Sequence, residues 1–438
     1  MSKISALDFA NNVERNRKSL RQHCLANGKD VSEAETLDNI VAMNNQITST
    51  IDGKFKVEFK DLNGDYFAPT QYVQAGGIVT LPSTHPELEP DILEFVEWVA
   101  DGDLNNVQED LICLPKYQTK INEVANQRPT ILKCYFDEST LSPPLYIGSS
   151  HTNTFIDWGD GSEAQKVSSA AVSHTYAKEG LYTILIYGDK YSLEGNTSSG
   201  IFNAANYEHV LLKAYLGENI SSLGSYAFRG SRALNTIVIP NNITSIGESA
   251  FMYNTSLTSV VIPNSIKTIS KNAFAGCYNL RNVVIPNTVQ TIGEGAFSIC
   301  YTIDNIIIPS GVTSIANDAF KNTTISNIVI PSSVSTMYNP FADAYSLSNV
   351  VLYEDYNLSI NLVDCPLTDE CLIDIAHKIK DNTDLGTNTI YFSKTRCFSR
   401  MKTIMLNEFG ERVPLGTEGA VNIIEFMQNK NWTITFST

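Results

Sequence analysis

The chain has 438 residues, 43% hydrophobic and 18% charged, the balance of an ordinary globular protein long enough for two to four domains. A net charge of −16 excludes DNA or RNA as the partner, because phosphate binding needs a basic face. No segment approaches about 18 uninterrupted apolar residues, so no membrane-spanning helix is expected. The N-terminus lacks the apolar core of a signal peptide, which predicts a chain made in the cytoplasm. Eight cysteines without a C-x-x-C give no zinc or thioredoxin-like pattern, and free thiols are expected.

Residues 1–50 are expected to form a helical attachment segment. Ile4, Leu7, Val13, Leu20 and Leu25 punctuate a polar stretch broken at Gly28, and Leu37, Ile40, Val41 and Ile47 follow as a second apolar series. The phrase Leu20-Arg-Gln-His-Cys-Leu-Ala-Asn-Gly28, continued by Val31-Ser-Glu-Ala-Glu-Thr-Leu37, resembles a helical segment of bacteriophage tail and baseplate-associated proteins. A small amphipathic hairpin explains the same residues. Residues 51–127 alternate at Phe55-Lys-Val57-Glu-Phe59 and carry turn signals at Asn63-Gly64 and Gly76-Gly77, which predicts a small β or mixed domain. The acidic stretch Glu87–Trp98 is expected to hold a short helix.

In residues 128–198, Asp157-Trp158-Gly159-Asp160-Gly161-Ser162 is followed by His174-Thr-Tyr176 and Gly180-Leu-Tyr182. This resembles the polycystic-kidney-disease (PKD) type β-sandwich, in which such residues hold a tight turn and the sandwich together. Asp157, Asp160 and Glu163 could group as oxygen ligands for a cation, but Asp-Gly turn chemistry accounts for them without metal.

Between Leu211 and Leu352 a unit of about 23 residues recurs. Phe228, Phe251, Phe274, Phe297 and Phe320 are spaced by 23, each preceded by Ala, and Ile-Pro pairs end at Pro240, Pro263, Pro286, Pro309 and Pro331. Such a period marks a solenoid, whose units bury their apolar face only by stacking. Pro ends each short strand because it has no N–H for the ladder. Seven parallel strands, counting degenerate first and last copies, would stack at about 4.8 Å each over roughly 29 Å. The pattern L-x-x-[IV]-[VI]-[IL]-P-[NS] with A-F resembles the BspA-type leucine-rich repeat, a family of surface-exposed binding and adhesion modules. The asparagine ladder of better-known leucine-rich repeats is absent from the pattern.

Alternation along the strands turns an apolar column outward, Val238, Val261, Val284, Ile307, Val329 and Val351, beside a polar column, Thr236, Ser259, Asn282, Asn305, Asn327 and Asn349. These twelve residues are the candidate binding face. The alternatives are that β-branched residues simply suit strands, or that a neighbouring domain or subunit covers them. Tyr253, Tyr278, Tyr301 and Tyr345 are loop aromatics with either a ligand-stacking or a packing role. Cys277 and Cys300 share one place in consecutive coils.

Residues 356–438 read as helix (apolar at 372, 373, 375, 376 and 379), strand (388–392), helix (421–427) and strand (432–436), an α/β cap for the solenoid's open end. This resembles the cap of BspA-type arrays in phage and bacterial surface proteins, where the last helix runs into K-G-W-T; here the phrase is Lys430-Asn431-Trp432-Thr433. The fold expected is thus multidomain and mainly β: N-terminal helices (1–50), a small β domain (51–127), a PKD-like sandwich (128–198), a BspA-type solenoid (199–355) and the cap (356–438).

No catalytic motif is present, and His23, His85, His151, His174, His209 and His377 fall in different modules or loops, so no enzyme and no cofactor are expected. The resemblances imply a bacteriophage virion protein of the tail or baseplate, attached to other virion proteins through its N-terminal helices. It would bind a host cell-surface receptor, protein or polysaccharide, as a homo-oligomer. The alternatives are a bacterial cell-surface adhesin, or a structural virion protein that binds only its neighbours.

Overall fold

A computed structural model describes residues 54–437 apart from 63–65, 89, 91–92, 101–103, 108–110, 121–127, 149–150, 196–199, 203–206, 338, 381–387, 394–395, 398, 408–410, 416 and 418–419. The helices expected in 1–50 and the Asn63-Gly64 turn therefore lie outside the described residues. The chain divides into two compact units, Met1–Pro90 with Phe95–Lys116, and Asp91–Glu94 with Tyr117–Thr438.

The first unit is built on a mixed sheet in the order Tyr66–Gln74, Lys54–Lys60, Leu111–Thr119, Leu93–Ala100. The helix expected at 87–98 is not formed: Leu93–Ala100 is a strand. Phe95, Val96, Trp98 and Val99 suit a pleated surface better than a helix, and Trp98 packs edge-on against Phe59 at 5.4 Å. Next to Phe59 in the strand Lys54–Lys60, Glu58 is buried, with Lys56 Nζ at 3.0 Å, Lys60 Nζ at 3.2 Å and the Tyr66 hydroxyl donating at 2.7 Å. Burial pushes its carboxyl up, but Lys60, Lys56 and the Tyr66 hydrogen bond outweigh this and hold it at about 2, against an ordinary 4.5. The unfolded chain therefore takes up this proton first as pH falls. The stabilisation, on the order of 3 kcal/mol, is complete above pH 4.5 and lost as pH falls towards 2. The protection factors of the Lys54–Lys60 amides, taken against the intrinsic rate at each pH, should fall across that window, and Glu58→Gln should remove the acid-dependent part; an unchanged pH profile in the variant would contradict it.

In the second unit the solenoid coils carry a column of buried phenylalanines. Phe228, Phe251, Phe274, Phe297 and Phe320 stack at 5.3, 5.2, 5.5 and 5.8 Å with nearly parallel rings, and Phe341 continues the column at 5.9 Å. The residue before each Phe supplies a backbone acceptor to the preceding coil. The N–H of Phe251, Phe274 and Phe297 donates at 2.8–2.9 Å to the carbonyl of Ala273, Ala296 and Ala319 in the next coil, and Phe320 donates to Pro340. After each Ile-Pro the Pro carbonyl accepts from the residue three on, as in Ile266 N–H to Pro263 at 3.0 Å, turning the chain into the return strand.

Two positions per coil, two before and two after the Phe, take the left-handed backbone. Tyr226, Ser249, Asn272, Gly295 and Asp318 form one set; Gly230, Tyr253, Gly276, Ile299, Asn322 and Asp343 form the other, all with φ between 53° and 72°. Gly and Asn adopt this conformation readily, whereas a β-branched residue is strained there. Ile299→Gly should accordingly raise the unfolding midpoint, by about 0.5–1 kcal/mol of stability; a lower midpoint would show that its packing outweighs the strain.

The expected absence of a ladder needs correcting in part. Asn254 Nδ2, Cys277 Sγ and Cys300 Sγ, each three residues after a Phe, reach the carbonyls of Phe228, Phe251 and Phe274 in the preceding coil at 3.0, 3.2 and 3.2 Å. Asparagine fills one rung and cysteine two, which hides the ladder in the sequence. Cys277 and Cys300 are unbridged, and burial pushes the Cys300 thiol up to about 12. The strand ladder is interrupted where seven continuous strands were expected. Ser259–Val261 pairs with Asn282–Val284 and Asn327–Val329 with Asn349–Val351, but residues 303–309 form no strand. The return strands Thr268–Ile269, Thr291–Ile292, Ser314–Ile315 and Thr336–Met337 do form one continuous parallel sheet.

The boundary expected at 198/199 falls inside shared structure. One six-stranded sheet runs Thr236–Val238, Leu211–Tyr215, Thr130–Phe136, Gly180–Tyr187, Phe155–Asp157, Gln165–Lys166, so the sandwich's own strands continue the first solenoid strands. Tyr191–Leu193 likewise pairs in parallel with the return strand Ile220–Leu223. On the third side Ile201 N–H donates to Ala227 at 2.7 Å, while its carbonyl accepts from Tyr146. Residues of the 130–201 segment thus pair with the first coil on three sides, and one hydrophobic core extends from Leu132 to Trp432. These contacts make the segment a cap on the first coil.

The C-terminal elements match the expected order: helix Asp369–Lys378, strand Asn388–Ser393, helix Ile423–Asn429 and strand Trp432–Ser437. Thr368 caps the first helix by accepting from Cys371 N–H. Strands Ile360–Leu362, Asn388–Ser393 and Trp432–Ser437 extend the parallel stacking. The Lys-Asn-Trp phrase closes this cap. Lys430 Nζ donates to the carbonyls of Ala376, His377 and Ile379 at 3.1, 2.8 and 3.0 Å, and Trp432 Nε1 to that of Lys380 at 2.8 Å. Asn431 has φ 60°, which is why Gly can occupy the same place in related caps. Lys430→Met strips the cation from the helix's last carbonyls and should cost about 1–2 kcal/mol, read as a lower urea midpoint; an unchanged midpoint would refute the capping role.

Candidate binding surface

The twelve residues of the candidate face do not share one exposure. In the first half, Val238, Ser259, Asn282 and Val284 are buried, at 5, 4, 4 and 1% exposed, and Thr236 and Val261 are half-buried. Ser259 and Asn282 have partners within the chain, so this half is occupied in the folded protein and is not a free docking surface. The second half differs. Val329 is 51% exposed, Asn305 and Asn327 are exposed, and Ile307, Asn349 and Val351 are half-buried. Asn349 Nδ2 donates to Asn327 Oδ1 at 2.8 Å, which fixes both amides in one row. The pairing register Asn327↔Asn349 and Val329↔Val351 sets an apolar row beside a polar one. The patch can bury apolar area under a partner while its amides supply directional hydrogen bonds.

The tyrosines separate by role. Tyr278 and Tyr301 are exposed and stack on each other at 5.4 Å, while Tyr345 is exposed beneath the Arg396 guanidinium, 5.1 Å from the ring centre. Tyr253 is half-buried with its ring across Gly276, where an added Cβ would lie 2.4 Å from it. Sequence reading missed the cation beside it: Arg229 lies over the rings of Tyr226 and Tyr253 at 5.8 and 5.9 Å. A lone arginine one residue after a repeat Phe gave no periodic signal.

The sandwich turn uses its carboxylates structurally. Asp157 Oδ1 accepts from Gly159 N–H at 2.9 Å and Asp160 Oδ1 from Ser162 N–H at 3.0 Å. Asp160 Oδ2 lies 2.7 Å from His174 Nε2, and His174 stacks on Trp158 at 5.0 Å. The Ser162 hydrogen bond, more than the His174 contact, holds the Asp160 carboxyl near 2. Among the described residues no group of three or more His, Cys, Asp or Glu is placed to hold a metal ion. No described helix is long and apolar enough to cross a membrane.

Residues 204–357 match the family model for the BspA type leucine rich repeat region, in 6 copies. This segment is a BspA-type leucine-rich repeat region. The BspA-type segment contains the whole Phe column and all twelve residues of the candidate face. No curated protein matches the chain. Among solved structures it is similar to a leucine rich cell surface protein from Faecalibacterium prausnitzii (23% identity, TM-score 0.34, 48% of this chain and 62% of that one). It is also similar to a leucine-rich repeat protein from Bacteroides ovatus (23%, TM-score 0.28, 44% and 63%). A third is a leucine rich repeat protein from T. pallidum (22%, TM-score 0.25, 37% and 70%). The chain thus spans less than two thirds of the first two proteins.

Proposed function

We propose that this is a non-catalytic bacterial cell-surface protein that binds a receptor through the C-terminal half of its repeat face. The observation that carries the reading is the contrast along one column, with Val284 closed at 1% and Val329 open at 51%. The half-buried Ile307 and Val351 lie in the same column on either side of the open Val329, with Asn305, Asn327 and Asn349 as the polar row beside them. The BspA-type repeats support a surface role, since the family they resemble consists of binding and adhesion modules. Recognition is non-covalent, with weak contacts multiplied by many copies on a cell.

The bacteriophage reading drew in part on residues 20–37, which lie outside the described residues, and in part on the stacked binding-type modules, which a cell-surface protein shares; the comparisons lend it no support. The adhesin is therefore preferred. Brief protease treatment of intact producing bacteria tests it: the chain should be cut while a cytoplasmic control is spared. Protection until lysis would overturn the surface assignment.

A further inference from the structure

We propose that Arg229, with Tyr226 and Tyr253, forms a binding site for the carboxylate of an acidic sugar, on a side of the solenoid away from the strand face. The inference does not depend on the strand face.

Three independent features point there. The first is charge. In a chain of 47 acidic residues, no described carboxylate pairs with Arg229, and its Nε is buried without an acceptor. A guanidinium that has given up part of its hydration without gaining a counter-ion interacts strongly with an oxyanion at its remaining N–H groups. The second is the pair of rings. They flank the cation at 5.8 and 5.9 Å and hold it by their faces, and neither phenol hydroxyl makes a hydrogen bond among the described residues. A guanidinium between two rings whose hydroxyls are unengaged matches a hexuronic acid, whose C5 carboxylate has the ring oxygen on one side and the C4 oxygen on the other as acceptors for the phenols; the carboxylate of a Glu or Asp side chain is attached to a CH2 and has no such pair of oxygens beside it.

The third is backbone strain. Tyr226 and Tyr253 sit at φ 62° and 63°, in columns that Asn272, Gly295 and Gly276 fill at little cost and that Ser249, Ile299, Asp318 and Asp343 also occupy, so the left-handed backbone belongs to the repeat and the choice of a tyrosine at both places beside Arg229 is the distinguishing feature. Strain kept where a relaxed residue would fit is characteristic of functional positions. Gly276 also leaves room for the Tyr253 ring, since an added Cβ would overlap it. The net charge of −16 repels a polyanion at long range, but at 0.15 M salt screening acts beyond about 8 Å and the local cation decides.

The test is calorimetric titration of the full chain with a glucuronate-containing tetrasaccharide, a neutral tetrasaccharide and a tetraglutamate peptide in 0.15 M salt. Only the acidic sugar should bind. Arg229→Gln should weaken it at least tenfold, and Tyr253→Asn should abolish binding while holding or raising the melting temperature, because Asn accepts the left-handed backbone. Changes at Ile307, Val329 and Val351 should leave this binding intact, so failure here and failure of the strand-face reading are distinguishable. Undiminished binding by Arg229→Gln or Tyr253→Asn would overturn the site, as would binding of the peptide alone or of no probe.

Discussion

Phe274→Ala is expected to lower stability by about 3–5 kcal/mol, the range for emptying a fully buried aromatic site. Phe274 is 0% exposed and its ring has a neighbour on each side, Phe251 at 5.2 Å and Phe297 at 5.5 Å. Coils in a solenoid hold each other through nearest-neighbour contacts, so the loss uncouples the coils before and after it as well as leaving a cavity. Phe274→Leu should retain most of the apolar volume and cost clearly less. The check is the shift in denaturant midpoint by circular dichroism. An alanine variant within 1 kcal/mol of the parent, on the order of a surface change, would mean that the column is not the core.

A chain begun at residue 199 should fail to fold cooperatively, whereas one begun at residue 117 should unfold in a single transition. Removing residues 117–198 takes away strand Thr130–Phe136, which pairs with Leu211–Tyr215, and strand Tyr191–Leu193, which pairs with Ile220–Leu223. It also uncovers Leu211, Ala214, Ile220 and Leu223, all 0% exposed in the intact chain. An uncapped solenoid end presents both apolar surface and open strand edges, which favour aggregation over folding. A soluble, cooperatively folded 199–438 would show that the sandwich is a separable module after all.

What the sequence made legible was whatever repeats. The spacing of 23 located the Phe column, the Ile-Pro turns and the outward column, because every coil meets the same neighbours. The cap was readable for a different reason: its helical stripe and strand alternation are local, and the Lys-Asn-Trp phrase carries its own capping chemistry. Contacts made once were hidden. The pairing of Thr130–Phe136 with Leu211–Tyr215 joins residues about 80 apart with no shared pattern. Phe341 follows Phe320 by 21 residues, off the period, yet completes the column. The Asn254, Cys277, Cys300 ladder escaped notice because a thiol replaces the amide at two rungs. Leu93–Ala100 was misread because its glutamates suggested a helix where its aromatic and β-branched residues form a strand.

The candidate face was legible only as a direction. Alternation tells which side chains leave the core, not whether the rest of the chain then covers them. That is why Val238 and Val284 were grouped with Val329 although only Val329 is open. The strand break at 303–309 also lay beyond periodicity. It borders the coil in which the Ile-Pro spacing shortens from 23 to 22, where ladder register is hardest to keep.

The most direct measurement is retention of the purified full chain on intact epithelial and bacterial cells, beside a variant carrying Ile307→Lys, Val329→Lys and Val351→Lys. The parent should be retained on at least one of these cells and the variant at least tenfold less, with melting temperatures matched. Equal retention of the two, or none of the parent on either cell, would contradict the open half of the repeat face as the receptor surface.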